Sequence, residues 1–117
     1  MVRALFICSQ NKLRSPTAED VFAAWENVET SSAGTDEQAN SPVEASDIEW
    51  AEVIFLMEHS HKKRITNRFG EQLRSKRVVV LDIPDNYTFM EPALIRTLER
   101  KVGPYLVRMG AAPPPVA

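Results

Sequence analysis

The chain has 117 residues, 44% hydrophobic and 26% charged, with a formal net charge of −2. That length fits one compact domain with its own core, and the charge balance gives no reason to expect nucleic acid as a partner. No apolar run approaches the roughly 20 residues that a membrane helix needs, and with Cys8 as the single cysteine an intramolecular disulfide is excluded.

Ala4-Leu5-Phe6-Ile7 is a short, continuous apolar run, the pattern of a strand buried on both faces. Ser15-Pro16 reads as N-cap and first helical residue, and Ala18, Val21, Phe22 and Trp25 then recur at helical spacing up to about Asn27. Val28 to Ala33, closing at Gly34, is a second strand. Residues 35–46 are polar, and capping-box patterns at Ser41-Pro42-Val43-Glu44 and from Ser46 to Glu49 predict one or two short helical turns ending near Ala51. Val53 to Met57 is another fully apolar strand. His59 to Phe69 reads as a mostly polar helix with Ile65 and Phe69 on one face and Gly70 as its terminator.

Val78 to Ile83 supplies a fourth strand, rich in β-branched residues, and Pro84 to Met90 a loop. Pro92 opens a last helix with Leu94, Ile95, Leu98 and Val102 as its stripe, and Gly103-Pro104 is expected to kink or break it. The pattern gives one domain over residues 1–109 and a Pro-rich, disordered tail over 110–117. Strands alternating with helices, several continuously apolar, predict an α/β three-layer sandwich around a four-stranded parallel sheet. Functional sites of such sheets lie outside the carboxyl ends of the strands. Cys8 and the loop after Ile83 both fall there.

The run Cys8-Ser9-Gln10-Asn11-Lys12-Leu13-Arg14-Ser15 joins a buried strand to a helix start. Its backbone N–H groups can converge on an anion at the positive end of the helix. Those amides and Arg14 favour a thiolate at Cys8, Ser15 can donate to the sulfur, and Arg14 can grip two oxygens of the anion. This is a site for covalent chemistry on phosphate in two steps, sulfur attack and then hydrolysis of the thiophosphate. The leaving group needs a proton. Asp85 is the first candidate for that acid by position, ahead of Asp82, and Tyr87 either lines the pocket or closes the loop onto the core. His59 and His61 read as solvated surface residues, and the basic stretch from Lys62 to Arg77 as a solvated helix face.

Leu5 to Cys8 followed by Asn11, Arg14-Ser15-Pro16 and Ala18-Glu19 resembles the active-site signature of the low-molecular-weight protein tyrosine phosphatases. Ser32 to Thr35, Ala51 to Met57 and Ile83 to Tyr87 resemble further blocks of that family, in its order. The resemblance implies a flavodoxin-like parallel sheet, Cys8 as nucleophile, Arg14 as phosphate clamp and Asp85 as general acid. It also implies that Asn11 holds the loop's backbone and that Ser15 supports the thiolate. Gln10 stands where the family has glycine and is expected to strain the backbone or narrow the pocket. Leu13 replaces a second cysteine, and the segment from Gly34 to Ser46 is shorter than usual.

These features together predict a cytoplasmic phosphomonoester hydrolase acting through a phosphocysteine on phosphotyrosine in proteins, or on small aryl phosphates. It would need no metal or organic cofactor, would not engage membrane, and would be a monomer or weak homodimer. The alternatives are arsenate reduction with an external small thiol, and a phosphate- or phosphopeptide-binding module without turnover.

Overall fold

The computed structural model describes residues 1–115. Four strands, β1 (Val2–Cys8), β2 (Val28–Gly34), β3 (Val53–Leu56) and β4 (Arg77–Val80), form one sheet in the order β2-β1-β3-β4. All pairs are parallel, with Cys8 opposite Gly34 and Ile7 opposite Leu56. The helices are α1 (Arg14–Ala23), α2 (Ala45–Trp50), α3 (His59–Leu73) and α4 (Pro92–Arg108). From β1 the chain moves one way to β2 and then returns across β1 to β3. The strand order therefore reverses beside the carboxyl ends of β1 and β3, where open parallel sheets carry their crevice.

Alternation along the strands feeds two cores. Ala4, Phe6 and Cys8 of β1 face one side with Val53, Phe55 and Met57, packed under α1 and α4. Leu5 and Ile7 face the other with Ile54, Leu56 and Ile48, beneath α2 and α3. Phe6 is held between Phe22 and Phe55, with ring centroids 5.6 and 5.3 Å away. Each such fully buried side chain contributes about 1.5–3 kcal/mol, so β1 is anchored from both faces. Its last residue, Cys8, inherits that rigidity.

Several local expectations give way to tertiary contacts. α1 begins at Arg14, and its N-cap position, Leu13, makes no side-chain cap; the Ser15 hydroxyl is used elsewhere. α2 starts after Glu44, with Asp47 Oδ2 accepting the Glu44 N–H at 2.8 Å. Ser41 and Pro42 instead lie along Gly34 as a short parallel bridge. α3 runs through Gly70 to Leu73, bent at Phe69. α4 continues through Gly103 and Pro104 to Arg108, because Leu98, Val102 and Leu106 on its buried stripe are fully enclosed. That burial offsets the roughly 3 kcal/mol that an internal proline costs. A side chain at Gly103 would put its Cβ 3.2 Å from the Trp25 ring, so the glycine lets α4 approach Trp25, just past the end of α1.

The start of the expected disordered tail is also held. Ala111 is buried, and Ala112 and Glu26 exchange backbone hydrogen bonds of 2.8 and 3.1 Å. Residues 116 and 117 of that tail lie outside the described residues. No helix among the described residues is long and apolar enough to cross a membrane.

Candidate active site

Residues 8–13 leave β1 as a loop turned back over the end of the sheet. Its carbonyls are tied outward by the segment after β2. The Thr35 N–H donates to Cys8 O (2.9 Å), Asp36 N–H to Ser9 O (3.0 Å) and Asn40 N–H to Gln10 O (3.1 Å). The Asn40 side chain completes the set, its Nδ2 donating to Asn11 O at 3.2 Å. With those acceptors turned away, the loop amides are free to face inward. None of the N–H groups of residues 9–13 appears as a donor in the turn and loop backbone bonds of the described residues. Backbone donors left free in this way are what an anion-binding nest requires.

Two residues make this path possible. Gly34 has no room for a side chain: a Cβ there would lie 2.5 Å from Ala39 Cβ and 2.7 Å from Ser9 O. Asn11 sits at φ 55°, the left-handed region that asparagine tolerates better than most residues. Gln10 keeps a negative φ, so the strain expected of it is absent, and its side chain lines the cavity.

The Asn11 side chain organises the surroundings of Cys8. Its amide nitrogen donates to Ser15 Oγ and to Ser32 Oγ, both at 2.9 Å. Ser32 in turn donates to the Glu19 carboxylate. Having accepted from Asn11, Ser15 has its own proton to give, and Cys8 Sγ lies 2.9 Å away, against 3.5 Å for Ala33 O. The polarity of the chain therefore runs from Asn11 through Ser15 to the sulfur.

Arg14 is 2% exposed, with Nη1 donating to Glu58 Oε2 and to Ile83 O, each at 2.7 Å. Its Nε lies 3.6 Å from Asp85 Oδ1. The guanidinium thus bridges the end of β3 and the loop after β4. A cavity of about 410 Å³ opens above the loop, lined by Cys8, Ser9, Gln10, Lys12, Leu13, Arg14, Asp36, Arg64 and Asp85. Arg64 pairs with Asp36 at 2.7 Å on its wall. A neighbouring polar cleft shares Gln10, Lys12, Asp36 and Arg64 with it.

Of the two candidate acids, Asp85 shares the cavity with Cys8, whereas Asp82 is exposed, at φ 58°, and does not line it. Tyr87 corrects the pocket-wall reading: it is half-buried, packs against the core and is absent from the cavity wall. Apolar contact with the core favours that placement of the aromatic side chain. His61 is a second correction, since it is 1% exposed rather than solvated. Its Nδ1 accepts the Glu58 N–H at 3.0 Å and its Nε2 lies 2.9 Å from Ser9 Oγ. Burial, and then the nearby Arg14 charge, hold its pKa below the ordinary 6.5.

Glu58 and His61 are the site residues that motif reading missed. Glu58 stands two residues past the end of β3, the strand beside β1, at the reversal of strand order, and topology alone marks that position. His61 stands three residues later, at capping-box spacing, but Glu and His are not the usual residues of that motif.

The architecture and the loop define the class: this chain has the fold of the low-molecular-weight protein tyrosine phosphatases. Its structure superposes on that phosphatase from Streptococcus pyogenes with a TM-score of 0.74 at 16% identity, covering 93% of each chain. The phosphatase of T. tengcongensis gives 0.70 at 20% identity, over 93% of this chain and 99% of the other. The YwlE arginine phosphatase from Geobacillus stearothermophilus gives 0.68 at 23% identity, over 92% and 97%. No protein-family model matches the sequence, and no curated protein matches it.

Proposed function

We propose that this protein is a phosphomonoester hydrolase that works through a phosphocysteine, with phosphotyrosine in proteins as its first-choice substrate. The observation that carries the reading is that Cys8, whose Sγ lies 2.9 Å from Ser15 Oγ, shares one cavity with the loop after it and with the buried Arg14. In the first step Cys8 Sγ attacks phosphorus and the P–O bond to the leaving group breaks. Loop amides and Arg14 stabilise charge on the equatorial oxygens. Asp85 gives its proton to the leaving oxygen. As carboxylate it then takes a proton from water, which attacks phosphorus, releases phosphate and restores the thiolate. The fold shared with tyrosine phosphatases supports the assignment.

A second reading is phosphoarginine, the substrate named for the YwlE neighbour. What favours it is the cavity wall, which carries Asp36 and Asp85 but no aromatic side chain. Asp36 is already engaged by Arg64, however, so phosphotyrosine stays first. The cytoplasm as compartment and a monomer or weak homodimer complete the proposal.

The test is a burst of p-nitrophenol from p-nitrophenyl phosphate, stoichiometric with enzyme and abolished in Cys8→Ser. Vanadate binding with no turnover at any pH would instead identify a binding module. Arsenate-dependent consumption of an external thiol would identify the reductase. Comparison of phosphotyrosine and phosphoarginine peptides decides between the two hydrolytic readings.

A further inference from the structure

His61 is a buried titratable group that the proposed chemistry does not use. It is the third residue of α3, and its two ring nitrogens reach different parts of the site. A backbone N–H can only donate, so the 3.0 Å bond from the Glu58 N–H requires a lone pair on Nδ1. In the neutral ring the proton then sits on Nε2 and is donated to Ser9 Oγ, 2.9 Å away. Having accepted there, Ser9 keeps its own hydroxyl proton free, and Ser9 lines the cavity beside Cys8. The residue that His61 caps, Glu58, holds Arg14 through its carboxylate. One imidazole thus spans the β1–β3 boundary, from the first loop residue to the partner of the clamp.

We infer that His61 is a positioning residue of the phosphate site: as the uncharged Nε2–H tautomer it directs the Ser9 hydroxyl proton toward a bound phosphoryl oxygen and steadies Glu58 against Arg14. The inference rests on the phosphatase reading for its substrate but not for its geometry, because any tetrahedral oxyanion in the cavity would meet the same hydroxyl. Protonation at Nδ1 would set two donors, the ring and the Glu58 N–H, against each other. The charged groups facing the ring divide: Arg14 on α1 and Arg64 on α3 oppose protonation, while Glu58 and Asp36 favour it. Burial and Arg14 outweigh the carboxylates, so the ring is uncharged near neutrality.

Two isosteric variants separate the two bonds. Asparagine at this position keeps an acceptor where Nδ1 lies, and glutamine keeps a donor where Nε2 lies. His61→Asn should retain the helix cap and thermal midpoint but bind orthovanadate about 10-fold more weakly. His61→Gln should lose thermal stability but keep most of the vanadate affinity. Ser9→Ala, which leaves α3 untouched, should match His61→Asn, and the double variant should be no weaker than either. In the wild type, vanadate affinity should fall on the acid side with a protonation step that His61→Gln lacks. Wild-type vanadate affinity in folded His61→Asn and Ser9→Ala, or additive losses in the double variant, would overturn the inference. If His61→Asn does not fold, Ser9→Ala and the acid limb decide alone. Vanadate is read by binding, so absence of hydrolysis would sink the phosphatase reading and leave this one standing.

Discussion

The two loops that meet over Arg14 are built in opposite ways. The loop from Cys8 to Leu13 is tied on every side: its carbonyls by residues 35–40, its turn by Asn11, its first hydroxyl by His61. The loop from Pro84 to Met90 is mostly exposed. Its links to the site are the 3.6 Å approach of Asp85 to Arg14 and the Met90 N–H donated to Thr17 Oγ1 at 2.9 Å. The Asp85 side chain is 61% exposed. The difference matches two chemical tasks. A nucleophile and its oxyanion donors work best preorganised, whereas a proton donor must meet leaving groups of varied size and then admit water.

The largest effect should come from the looser loop, and it should be purely chemical. Asp85→Asn is expected to slow phosphoryl transfer from poor leaving groups by about 10²–10⁴-fold and from good ones far less. Stability should stay within about 0.5 kcal/mol, as for other exposed positions. Asp82→Asn should do little. Pre-steady-state rates with a series of aryl phosphates check this, and equal losses across the series would remove Asp85 from the acid's role.

A smaller loss of rate, joined to a loss of stability, should come from the tied loop. Gly34→Ala forces a Cβ to within 2.7 Å of Ser9 O. It is expected to cost about 1–3 kcal/mol in overpacking and roughly 10²-fold in rate through displacement of the loop. Denaturant unfolding and turnover on p-nitrophenyl phosphate measure the two together. Unchanged stability with full activity would mean that the loop is not held as described.

The smallest effect concerns pH. The folded-state pKa of His61 is held below 6.5, so the unfolded chain binds its proton first as pH falls. The stability contributed by the neutral ring is therefore complete above about pH 6.5 and is lost as pH drops toward the folded value. The slope is no more than about 1.4 kcal/mol per pH unit for one proton. His61→Gln should flatten this part of the acid limb in thermal unfolding. An unchanged limb would show that other groups cause it.

Alternation and apolar runs were enough to read the strands, their parallel pairing and the α/β layering, because burial on both faces of a sheet leaves a local signature. The Cys8-to-Ser15 loop was legible for a similar reason: the residues proposed as its donors and nucleophile are consecutive in the chain. Helix ends were less so. Gly70 and Pro104 carry strong local signals to stop, yet α3 and α4 continue because their apolar faces are buried.

What the sequence determined by itself is therefore the sheet, the loop that joins Cys8 to Arg14, and a short choice of candidate acids. Tertiary structure alone decided that Asp85 rather than Asp82 lines the cavity and that Tyr87 packs against the core. It also decided that Ser15 serves the sulfur instead of capping α1, and that Glu58 and His61 complete the site. The physical reason is the same in each case. These contacts join residues dozens of positions apart, and their energy comes from partners that no local pattern contains.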